Sequence, residues 1–114
     1  MPVKKIRSKE YLDFIGQQKC VVTGSRPADC HHESVTRRFS AGMKKYFDFG
    51  ALPLRHDVHL YERHSMGKVD FWEKYNLNPA ELAVAFIEEY MSLAPEDYDV
   101  AEEALYMIKR DNGF

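Results

Sequence analysis

The sequence predicts an α+β fold in which short extended segments sit among helices, and three observations predict it. A capped helical pattern opens the chain, two apolar runs of strand length end in turns, and two stretches with helical periodicity fill the last third. Ser8 can cap a helix running to about Gln17, with Tyr11, Phe14 and Ile15 at helical spacing and Gly16 weakening its end. Lys19 to Gly24 reads as a short strand entering a turn, continued by Ser25-Arg26-Pro27. Residues 33 to 46 show no clean period and read as a long basic loop around Gly42. Long irregular loops in small domains are often functional. Phe47 to Leu54 reads as a second strand with an exit turn, His56 to about Ser65 as a short helix, and Asp70 to Tyr75 as another.

Asn78-Pro79-Ala80-Glu81 supplies an N-cap, a proline at the first helical position and an acid in the first turn. Leu82, Ala83, Phe86, Ile87, Tyr90 and Met91 then share one face, and Pro95 ends the helix. A last helix over Tyr98 to Arg110 turns Val100, Ala101, Leu105 and Ile108 inward. Both C-terminal helices read as scaffold.

The 114 residues are 45% hydrophobic and 30% charged, which describes one domain, residues 1–114, and leaves no room for a second. No apolar run is long enough to span a membrane, and Met-Pro-Val-Lys-Lys-Ile-Arg holds no signal-peptide core. The cytoplasm, or the host cytoplasm for a phage-encoded chain, is the expected location. Cys20 and Cys30 could form at most one disulfide and are expected reduced there. The net charge of −2 argues mildly against a nucleic-acid partner until it is divided. Residues 1–69 hold 13 Lys/Arg against 7 Asp/Glu, and residues 70–114 hold 3 against 11. The split either solvates two faces or concentrates positive field in one segment.

All five histidines lie in the basic segment: His31, His32, His56, His59 and His64. On an extended strand adjacent side chains point to opposite sides, so one of His31 and His32 can bind a metal while the other faces a substrate. The second cluster, His56 to His64, follows some 25 residues later. Imidazoles from two separate segments suit a mononuclear transition-metal site.

The order Tyr11-Leu12-Asp13-Phe14-Ile15, Cys20-x-x-Thr23-Gly24, Ala28-Asp29-Cys30-His31-His32, Gly42-x-Lys44, Asp48 to Leu54, His59, His64 and Gly67 resembles the HNH, or ββα-metal, nucleases. Within them it is similar to small phage-type Ref-like proteins, over roughly residues 7 to 75. The resemblance implies a ββα-metal (His-Me finger) core at about 18–75, with an N-terminal helix and a helical C-terminal extension over 76–114. It implies a metal-dependent DNA endonuclease acting in phage or prophage recombination or DNA processing. A non-catalytic DNA-binding module that kept the fold is the alternative.

Position by position, the resemblance makes His31, His59 and His64 metal ligands and His32 the general base. It makes Asp48 the residue that fixes the loop bearing that base. Relatives commonly space the last two ligands four apart, on one helical face. Here they are five apart, about 140° around a regular α-helix, so either His59 precedes the helix or the helix carries a bulge. His56 or water is the reserve third ligand, and Glu62 a candidate to orient a ligand histidine. Many relatives also hold a structural zinc on two Cys-x-x-Cys pairs. The corresponding positions here are Cys20 with Thr23 and Arg55 with Val58, so no structural zinc is expected. Cys20 then reads as a small buried hydrophobe, and Cys30 as a weak alternative ligand.

Phosphodiester hydrolysis needs an in-line nucleophile and neutralised phosphoryl oxygens, which one divalent ion (Mg, Mn, Zn or Ni) and a histidine base can supply. Arg37, Arg38, Lys44 and Lys45 are expected on backbone phosphates, with Lys4, Lys5, Arg7 and Lys9 extending the track. Arg55 and Arg63 are candidates to clamp the scissile phosphate. DNA is thus the expected partner, with the acidic C-terminal helices a candidate surface for a protein.

Overall fold

A computed structural model describes residues 5–114; Lys4 of the expected basic track lies outside them. Ser8 starts α1 (Lys9–Gly16), its side chain accepting the Tyr11 N–H, and the Tyr11 and Ile15 side chains are fully buried one turn apart. The expected strand over Lys19 to Gly24 is instead a turn. Its backbone bonds close on themselves, from Gly24 N–H to the Cys20 carbonyl and from Cys20 N–H to that of Ser25, with Gly24 at φ +71°. One bond ties this turn to the sheet, from Val21 N–H to the Pro53 carbonyl at 3.1 Å.

The first strand is β1 (Asp29–His32), which pairs antiparallel with β2 (Ala51–Leu54). Asp29 lies opposite Leu54, Cys30 opposite Pro53, His31 opposite Leu52 and His32 opposite Ala51. β2 is therefore shorter than the expected strand over Phe47 to Leu54, because Asp48–Gly50 forms a 3₁₀ turn. Every β2 residue is buried, which anchors the hairpin in the core. Gly50 is required by close approach: a Cβ there would lie 2.7 Å from the Glu33 carbonyl oxygen, whose own N–H bonds the Gly50 carbonyl. The connecting basic stretch is irregular except for a 3₁₀ segment, Ala41–Tyr46.

After β2 the chain forms a helical segment whose main part, Val58–Arg63, is a π-helix capped by Asp57. α2 (Lys68–Lys74) follows, then α3 (Pro79–Leu93) and α4 (Tyr98–Asn112). Asn78 caps α3 by accepting from the Ala80 and Glu81 N–H groups, with Pro79 at the first position as its sequence pattern predicts. On α3, Ala83, Ile87 and Tyr90 are buried and Leu82, Phe86 and Met91 pack at the margin. The inward stripe of α4 is rotated from the expected one: Ala101 and Ile108 are buried, joined by Ala104 and Met107, while Val100 and Leu105 are only partly covered.

One hydrophobic cluster joins α1, the sheet and the C-terminal helices. At its centre the Tyr11 ring lies 4.5 Å from that of Phe49 and meets Tyr90 edge-on, and Phe39 stacks on Phe47 at 5.0 Å. The result is a small α+β architecture: a two-stranded antiparallel sheet among helices, with a histidine cluster where β1 faces the π-helix.

Candidate functional site

β1 sorts its side chains by alternation. Asp29, His31 and Glu33 follow one side, and Cys30 and His32 the other. On the first side, His31, His59 and His64 form a group whose candidate ligand atoms all lie within 4.8 Å of one another, so it could hold a metal ion. The ring centroids are 4.9 Å apart for His31 and His59, and 4.8 Å for His59 and His64. The five-residue spacing that disagrees with an α-helix is accommodated by the π-helix, whose i→i+5 bonding brings positions five apart over one another.

Carboxylates back two of these rings. Glu33 meets His31 Nε2 at 3.1 Å, leaving Nδ1 as the lone-pair nitrogen, and Asp29 meets His59 Nδ1 at 3.2 Å, leaving Nε2. Burial holds the His31 imidazole below its ordinary value against the pull of Glu33, so the ring is neutral at pH 7, the form a metal needs. Three imidazoles, two of them braced by carboxylates, are a donor set suited to a divalent transition ion.

Glu33 is the hub of a buried network. It is 1% exposed and takes both Nε (2.9 Å) and Nη2 (3.0 Å) of Arg63 and the indole N–H of Trp72 (2.9 Å). Burial pushes its carboxyl up, but the hydrogen bonds from His31, Arg63 and Trp72 outweigh that and hold it well below the ordinary range. Arg63, expected to clamp a phosphate, is thus drawn into the interior to neutralise this carboxylate. Arg55, its fellow candidate, is paired with Asp57 through both Nε and Nη2.

On the other side of β1, His32 Nε2 meets Asp48 Oδ1 at 2.9 Å. Asp48 is 1% exposed, and its Oδ2 accepts from the Ser8 N–H at 2.9 Å and Arg7 Nε at 3.1 Å. Burial raises its carboxyl, and the bonds from His32, Ser8 and Arg7 more than reverse this, so Asp48 is an anion. His32 consequently donates from Nε2 and keeps Nδ1 free to accept a proton. Asp48 therefore holds the imidazole itself and ties His32, which lies on β1 and not on a loop, to Arg7 and Ser8.

The remaining expected residues are distributed as follows. His56 is exposed and bonds Asp29 at 2.8 Å, outside the three-histidine group. Cys30 turns toward α1, donating to the Leu12 carbonyl; Cys20 is buried, and both thiols are free. Glu62 bonds Lys74 and the Tyr75 hydroxyl, so Glu33 and Asp29 take the orienting role expected of it. Arg37 and Arg38 are exposed in the stretch that follows β1, whereas Lys44, half-buried, and Lys45 lie in the 3₁₀ segment that leads back to Asp48. The Nζ atoms of Lys5 and Lys45 stand 5.0 and 5.3 Å from the Tyr46 ring centre. Asp29, Glu33 and Trp72 were not singled out by the sequence, although Asp29 and Glu33 stand two residues either side of His31, the spacing that shares a strand face.

Compared with protein-family models, with curated proteins and with solved structures, the chain matches none. Among the described residues no helix is long and apolar enough to cross a membrane.

Proposed function

We propose that this protein is a metal-dependent DNA endonuclease of the HNH, ββα-metal kind, hydrolysing phosphodiester bonds in phage or prophage DNA recombination or processing. The observation that carries the reading is a three-imidazole cluster that begins one peptide bond from a histidine held by a buried carboxylate. His31, His59 and His64 would hold one divalent ion, with imidazole favouring zinc or nickel for affinity and manganese or magnesium harder options for turnover. When bound, the ion supplies neutralisation of charge on the phosphoryl and leaving oxygens.

The protein's own part is proton transfer and positioning. His32, its Nε2–H fixed on Asp48, accepts a proton from the attacking water at Nδ1, and an imidazole is basic enough near neutrality for that task. The anionic Asp48 stabilises the imidazolium that results. Arg37, Arg38, Lys44 and Lys45 supply phosphate contacts that strengthen binding without reading sequence.

The test is cleavage of supercoiled plasmid with magnesium, manganese, nickel or zinc, by the wild type and by His32→Ala. Cutting that is lost in His32→Ala while DNA binding persists supports the reading. Metal-independent binding with no cutting under any ion would favour a non-catalytic DNA-binding module.

A further inference from the structure

With Arg55 and Arg63 both committed to carboxylates, the histidine pair lacks an arginine to grip a phosphate, and Arg7 is placed to supply one. Its side chain is 52% exposed, and among the described residues its one hydrogen bond runs from Nε to Asp48 Oδ2. The other oxygen of the same carboxylate holds His32. One carboxylate thus fixes a guanidinium and an imidazole side by side, and the Nη edge of the guanidinium has no protein partner among the described residues.

The placement is built by the backbone on both sides of Arg7. Ile6 N–H bonds the Tyr46 carbonyl at 2.9 Å, the Ile6 carbonyl accepts from Asp48 N–H at 2.9 Å, and Ser8 N–H bonds Asp48 Oδ2. Ile6 is itself 3% exposed and pairs with Phe47 as an isolated parallel bridge. Arg7 is therefore held next to Asp48 by both of its neighbours, while its own side chain reaches solvent.

We propose that Arg7 binds the phosphate whose linkage the His32-activated water attacks, donating from Nη1 and Nη2 to its non-bridging oxygens while Nε stays on Asp48. The planar fork of a guanidinium matches two phosphate oxygens, which a point-like ammonium cannot do. This rests on the reading of His32 as general base, but the phosphate site itself can be tested without turnover.

Inorganic phosphate is titrated into metal-free ¹⁵N-labelled protein while the Arg7 Nε–H and His32 ring signals are followed. The two signals should shift together and saturably. Arg7→Gln should abolish the His32 response, and Lys19→Gln, at an exposed lysine in the turn before β1, should leave it intact. Arg7→Lys, which keeps a cation beside Asp48, guards against loss of fold and should weaken the phosphate response rather than remove it. A His32 response that survives in Arg7→Gln, or an Arg7 Nε–H that never moves, overturns the proposal.

In plasmid cleavage, Arg7→Gln should lower kcat/KM about 100-fold, the scale expected for one charge-stabilising donor. Cutting by the wild type and equally by Arg7→Gln would remove Arg7 from the reaction and leave the nuclease reading standing. A phosphate response that needs Arg7, in a protein that cuts no DNA, would support the phosphate site and remove the nuclease reading.

Discussion

Replacing Glu33 by glutamine tests whether the buried hub stabilises the fold. Glu33 accepts two bonds from Arg63, one from Trp72 and one from the Ser34 N–H, and meets the His31 ring. Glutamine keeps one acceptor oxygen, turns an amide donor toward these donors and leaves the Arg63 guanidinium, 8% exposed, without its counter-charge. Breaking a buried ion pair from one side costs about 3–5 kcal/mol, a large share of the roughly 5–15 kcal/mol that holds such a domain together. Urea unfolding at pH 7 should show that loss. The double change Glu33→Gln with Arg63→Met should recover more than half of it, because an apolar pair no longer strands a charge. The pH dependence follows from the lowered folded-state carboxyl. Its contribution is complete above the unfolded-state value of about 4.3 and is lost as pH falls below it, so the acid limb of the wild type should be steeper than that of Glu33→Gln. A change under about 1 kcal/mol at pH 7, well below the cost of a broken buried pair, or superimposable acid limbs, would refute the reasoning.

Two further outcomes are expected. Gly50→Ala should lower stability by about 1–3 kcal/mol, since its Cβ meets the Glu33 carbonyl at 2.7 Å just beyond the last strand pair, His32 and Ala51; an unchanged thermal midpoint would show that the backbone yields there. Zinc titration should lose most of its affinity in His64→Ala, weaken about 10–100-fold in Asp29→Asn through the His59 ring, and change little in His56→Ala. A large effect in His56→Ala would make that residue a ligand.

The parts of the fold legible in the sequence are those fixed by local chemistry. Ser8 and Asn78 cap the helices they announce because a short polar side chain followed by a helical stripe needs no distant partner. The strands were less legible. Cys20-Val21-Val22 carries the apolar signal of a strand yet closes as a turn, while the polar Asp29-Cys30-His31-His32 is extended because it pairs with the buried β2. The spacing of His59 and His64 announced an irregular helix without saying which kind, and the π-helix is the form that serves it. The inward course of Arg63 was illegible because its partner, Glu33, lies 30 residues away in the chain, and nothing local to Arg63 reveals it.

The same separation recurs across the site. Asp29 holds His59, and Glu33 holds Arg63, each across 30 residues. Neither stretch contains the histidine group alone, so no local piece of chain can assemble it before the strand and the π-helix have docked. An ion bound there would recognise the folded chain and not the unfolded one, and by mass action each tenfold excess over its dissociation constant would add about 1.4 kcal/mol to stability. The ion would in that sense act as a latch on folding, closed last, and its affinity would report how completely two distant segments have met.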